Sequence, residues 1–62
     1  MKITNAADGS VIETVEVSLN EEELMNCIEA LQTLLKGEGE IKYDRAHIEY
    51  DDHSVAITFT IV

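Results

Sequence analysis

Proline and tryptophan are missing from this chain, cysteine occurs once, and only four of its 62 residues are basic. Each scarcity removes a class of protein. A single cysteine, Cys27, cannot close an intramolecular disulfide or supply the paired thiolates of a structural zinc site, so a disulfide-stapled scaffold is excluded. Four Lys and Arg against 13 Asp and Glu give a formal charge of −9, which leaves no basic patch for the phosphates of nucleic acid or for an anionic membrane. No apolar run approaches the length of a membrane span, and the opening MKITNAADGS holds no apolar stretch of signal-peptide length. Cytoplasmic residence is the expectation, with no membrane and no direct nucleic-acid binding. With 45% hydrophobic residues and only three Gly, the composition is that of a folded domain. The length allows one, spanning residues 1–62.

What is present is one long stretch with a helical period, Ser18 to Gly37, SLNEEELMNCIEALQTLLKG. Asn20 suits an N-cap and Glu23 sits three residues on, completing a capping box; Leu19 and Leu24 occupy the positions of a hydrophobic staple. Glu21, Glu22 and Glu23 lie where the helix dipole favours carboxylates, Lys36 where it favours a cation, and Gly37 marks a left-handed stop. At 100° per residue, Leu24, Cys27, Ile28, Leu31, Leu34 and Leu35 share one stripe, opposite Glu22, Asn26, Glu29, Thr33 and Lys36. That stripe needs a partner surface, because an isolated helix of this length is marginal.

Alternating segments on either side supply the expected partner. Residues 2–6 and 11–19 read as two strands joined by a three-residue Ala7-Asp8-Gly9 turn, a register that sets Met1 and Ile3 on the face of Val15 and Val17. After the helix, Glu38-Gly39-Glu40 reads as a solvated, mobile connection. The chain then extends over residues 42–51, turns at Asp52-His53 and returns as SVAITFTIV. Pairing Tyr50 with Val55, Ile48 with Ile57 and Ala46 with Phe59 keeps the large apolar groups on one side; a wider turn that shifts the partners by two keeps the same parity, so the loop length stays open. The expectation is an α+β domain, ββαββ, one helix packed on a four-stranded sheet of order 2-1-4-3.

In element order and length the chain resembles the immunoglobulin-binding domain of protein G and other small β-grasp domains. The closest local likeness is EYDDHSVAITFTIV, where a Tyr-Asp-Asp turn leads into a Thr-rich final strand. The resemblance implies architecture and not activity: the third strand offers no Trp and the outer helix face is acidic, so antibody binding is not carried over.

Chemistry-bearing constellations are few. His47 and His53 with Asp51 and Asp52 form the only group with metal-ligand chemistry, yet the hairpin register separates the two histidines, and no zinc or calcium spacing is present. Neither metal nor cofactor is expected. A nucleophile needs an adjacent base held by a third group; Cys27 falls on the apolar stripe, and Ser10, Ser18 and Ser54 fall at turns or strand ends. The expected function is therefore non-enzymatic macromolecular binding. Glu21, Glu22 and Glu29 on the helix, Glu38 and Glu40 after it, and Asp51 and Asp52 at the second hairpin are the expected partner-binding residues, facing a basic protein. In size and charge the chain is similar to the small inhibitors that phages and mobile elements direct at nucleic-acid-binding proteins, whose carboxylates imitate a phosphate track. The alternative is a small homo-oligomeric structural or regulatory subunit, a homodimer for instance, associating through the uncovered sheet face or the edge strands.

Overall fold

The computed structural model describes residues 1–62 and holds three regular elements: α1 (Glu21–Lys36), β1 (Arg45–Tyr50) and β2 (Val55–Thr60). The start of α1 follows from its capping box. Asn20 is extended at φ −77 and ψ 175, its side-chain oxygen accepts from the Glu23 N–H at 2.8 Å, and the Glu23 carboxylate accepts from the Asn20 N–H at 2.9 Å. Two orphan donors of the first turn are thereby satisfied, a contribution of about 1 kcal/mol.

At the other end the Gly37 N–H donates to the Thr33 carbonyl at 2.8 Å. Gly37 has the positive φ expected of a stop, 74°, but its ψ of −169° carries the chain out extended rather than left-handed helical. The connection expected to be mobile is instead a closed turn. Glu38 and Ile41 exchange two backbone hydrogen bonds, each 2.9 Å, around Gly39 at φ 59.

β1 and β2 pair antiparallel in the register read from their apolar alternation: Tyr50 opposite Val55, Ile48 opposite Ile57, Ala46 opposite Phe59. Four residues, Asp51 to Ser54, make the turn, with Asp51, Asp52 and His53 at φ 51, 53 and 71. Ser54 closes it by donating both its N–H (3.1 Å) and its hydroxyl (2.6 Å) to the Asp51 carbonyl. Even-numbered β1 side chains point at α1, where Ile48, Tyr50 and Cys27 form a buried cluster ringed by Leu19, Ala30, Ile57 and Phe59. The Tyr50 hydroxyl donates to the Glu23 carbonyl at 3.3 Å. This bond sets the hairpin turn beside the first turn of α1.

The four-stranded ββαββ sheet of order 2-1-4-3 does not form; the only sheet has two strands, β1 and β2. Residues 1–20 contribute one bridge, Thr4 to Val11, with the Asn5 N–H donating to Ser10 O and the Ile12 N–H to Ile3 O, both at 2.8 Å. That bridge encloses a four-residue loop, Ala6 to Gly9, and not the expected three. The one-residue difference explains why the pairing stops. Continued in that register, pairing would set Ile3 and Ile12 on one face and Val11, Val15 and Val17 on the other, so neither face would be apolar enough to lie on the helix. Val11, Val15 and Val17 are each more than half exposed. The β-grasp likeness ends with the helix and the second hairpin.

A narrow sheet also divides the helix stripe. Two strands about 4.8 Å apart cover one sector of a helix about 10 Å across. Cys27 and Leu34 are buried in that sector with Ala30 beside them, while Leu24, Ile28, Leu31 and Leu35 stay exposed. The buried line and the exposed line are about 100° apart around α1. The core is correspondingly small, with Cys27, Leu34, Ile48 and Tyr50 its only buried residues. The accessible surface is 5544 Å² for 6.9 kDa, against about 4,000 Å² for a folded monomer of that mass. The radius of gyration is 12.7 Å, against about 10.6 Å for a compact domain of this length.

Candidate functional site

The seven carboxylates singled out from sequence, Glu21, Glu22, Glu29, Glu38, Glu40, Asp51 and Asp52, are all exposed. The fold sorts them by position. Asp51 and Asp52 follow Tyr50, whose bond to Glu23 brings them to the end of the molecule where Glu21 and Glu22 open α1. Glu16, Glu23 and Asp51 line one shallow groove at that end. Glu38 and Glu40 lie past the opposite end of a helix about 24 Å long, with Glu29 between. The structure's ion pairs involve only Glu49 with His47 and His53, so none of the seven is neutralised by a Lys, Arg or His.

That exception is a site the sequence reading missed. His47 and Glu49 alternate with the core-facing residues of β1, so both project from the sheet's outer face, and the turn at residues 51–54 curls His53 back over them. His47 Nε2–H donates to one Glu49 oxygen at 3.2 Å, and His53 Nδ1–H donates to the other. On its other side His47 Nδ1 is hydrogen-bonded with the Thr58 hydroxyl on β2, 2.8 Å away. The expected separation of the two histidines along the strand is thus bridged by a carboxylate between them. Period-two alternation could have placed His47 beside Glu49, but three successive positive φ values could not be read from the residues. No three His, Cys, Asp or Glu side chains are arranged to hold a metal ion.

The hydrogen bond from His53, followed by that from His47, holds the Glu49 carboxyl below its ordinary value of 4.5. A carboxyl depressed in the folded state contributes stability above its unfolded value and loses it as pH falls through the folded one. In an NMR titration Glu49 is expected to protonate below its ordinary value of 4.5, and His53→Ala should move it back up. A Glu49 midpoint at or above 4.5 in the parent protein would contradict the bridge.

An open groove of about 440 Å³ lies between α1 and β1, lined by Asn26, Glu29, Ala30, Thr33, Leu34, Tyr43, Arg45, Ala46 and His47. Its Glu29, Arg45 and His47 make no hydrogen bond to one another. At its rim burial pushes the Tyr43 hydroxyl above its ordinary value, with the Glu38 carboxylate adding to the effect. Cys27 is a buried free thiol facing the hairpin and lines neither groove. No helix is long and apolar enough to cross a membrane. Comparison with protein-family models, with curated proteins and with solved structures returns no match.

Proposed function

We propose that this chain is a non-catalytic cytoplasmic module that binds a basic protein through its carboxylate surface. The observation that carries the reading is the absence of any cation beside Glu21, Glu22, Glu29, Glu38, Glu40, Asp51 or Asp52 in a chain of net charge −9. Uncompensated charge of one sign destabilises a small fold through self-repulsion, and a cationic partner relieves it. The helix length separates the two acidic ends by about 24 Å, enough to span a groove built to track a phosphate backbone. A nucleic-acid-binding protein is the partner class that such a surface fits, held by long-range attraction that is fast to form and sensitive to salt.

The test is a quadruple neutralisation, Glu21→Gln, Glu22→Gln, Asp51→Asn and Asp52→Asn. All four residues are exposed, and Asn tolerates the positive φ found at 51 and 52. Basic proteins captured from the source cell by the parent chain at about 0.05 M salt should elute by about 0.5 M, and the variant should lose at least about tenfold in affinity for them. Capture that is equally strong for the variant, or unchanged across that salt range, would overturn the acidic-surface reading.

A further inference from the structure

We infer that the exposed line of α1 binds a second copy of this chain, helix against helix and antiparallel. The alternative reading of the sequence set self-association at the sheet face or the strand edges; the exposed seam points instead to the helix. Leu24, Ile28, Leu31 and Leu35 are spaced 4, 3 and 4 residues apart, the a/d interval of a coiled-coil seam, and each is between 37% and 78% exposed. The seam is self-complementary about a two-fold axis lying between Ile28 and Leu31. Two antiparallel copies place Leu24 against the partner's Leu35 and Ile28 against the partner's Leu31, and the same pairs recur on the other side of the axis.

Charge selects the direction. On the flank facing away from the hairpin lie Glu21, Met25, Gln32 and Lys36, all exposed. In the antiparallel arrangement this flank meets its own copy, so Glu21 faces the partner's Lys36 at both ends and Met25 faces the partner's Gln32. The acidic first turn of each helix then lies beside the negative end of the partner's dipole, where Lys36 offsets it. A parallel pair would instead set Glu21, Glu22 and Glu23 of both copies side by side.

Surface area indicates how much remains to be covered. The chain exposes about 1,500 Å² more than a folded monomer of its mass, and a stable interface removes about 800 Å² from each partner. The exposed seam therefore falls on a molecule with ample surface to give up. Two chains of −9 repel, so the dimer should tighten as salt screens them. This is the reverse of the salt dependence expected for a basic partner, which distinguishes the two associations although both involve Glu21.

Sedimentation equilibrium of the full chain, from about 1 μM to about 1 mM, tests this. The expected result is a mass rising from 6.9 kDa toward twice that value, with tighter association in high salt and with Ile28→Glu weakening it at least about 100-fold. Because that variant also loses whatever stability the dimer confers, a charge exchange gives an independent reading. Lys36→Glu should weaken the dimer about tenfold, and adding Glu21→Lys to it should restore most of the loss, as only the antiparallel pairing brings these two positions together. A strictly monomeric parent protein would overturn the inference, as would association indifferent to Ile28→Glu. So would a charge exchange without rescue.

Discussion

Gly37→Ala is expected to abolish the cooperative thermal unfolding transition. Gly37 sits at φ 74 and ψ −169, a region that only glycine occupies at low cost, and holding another residue there costs about 1–3 kcal/mol. Space makes the cost larger. A Cβ at Gly37 would stand 2.2 Å from the Ile41 carbonyl oxygen and 3.3 Å from its carbon. This obstacle is backbone, and it is held in place by the two hydrogen bonds between Ile41 and Glu38. Relief requires opening that turn, at about 1 kcal/mol for each bond lost, and with it the path that brings β1 back onto α1. Gly9→Ala serves as the control, because Gly9 also has a positive φ, 76°, but nothing within 4 Å of the added carbon. A circular-dichroism melt in which Gly37→Ala keeps the parent midpoint while Gly9→Ala lowers it would invert the expected order.

The second large effect is expected at Ile48. It is 8% exposed and stands in the cluster with Cys27 and Tyr50, where removal of a branched side chain leaves a cavity that a two-stranded sheet cannot close. Isoleucine to alanine in a core costs about 2–5 kcal/mol. A single core of this size rarely supplies more than about 3–5 kcal/mol in total, so Ile48→Ala should leave the chain largely unfolded in water. Ile57, its cross-strand neighbour, is only partly buried, and Ile57→Ala should cost less. Urea titrations measure both. An Ile48→Ala midpoint above that of Ile57→Ala would show the core to be centred elsewhere.

How much of this could be read from residues alone depended on the range of the interaction. Asn20 with Glu23 and Gly37 with Thr33 act within one helical turn, and both ends of α1 stand where their chemistry placed them. The parity of β1 on β2 was equally legible, since only one keeps Ile48, Tyr50, Ile57 and Phe59 together; the choice between this register and one shifted by two was not, because both share that parity. The first 20 residues were misread for a related reason. The three-residue turn that gave Ile3, Val15 and Val17 a common face competes with a four-residue loop that Asn5 and Asp8 support, each accepting from a backbone N–H two residues on, at 2.9 and 2.8 Å. These local side-chain bonds outweigh a distant apolar face and slip the register by one.

The helix stripe shows the same limit. Its six apolar positions were plain, but which of them a sheet would cover depends on the number of strands, and with two the answer is Cys27 and Leu34. Among the candidate site residues, exposure of the seven carboxylates was legible because nothing apolar surrounds them in the pattern. The placement of Asp51 and Asp52 beside Glu21 and Glu22 depended on the Tyr50 contact with Glu23, 27 residues apart in sequence. Glu49 between His47 and His53 depended on the curl of the turn at Asp51, Asp52 and His53.

Both the core and the free seam depend on which face of α1 the hairpin covers. Isotope-filtered nuclear Overhauser spectra, restricted to contacts within one chain, measure that directly. The structure predicts cross-peaks from the Ile48 side chain to the Cys27 β-protons and none from Ile48 to the methyl groups of Leu24 or Leu35. Contacts of Ile48 with Leu24 and Leu35, with Cys27 open to solvent, would show the helix turned by about 100° and would contradict both the core described here and the free seam it leaves.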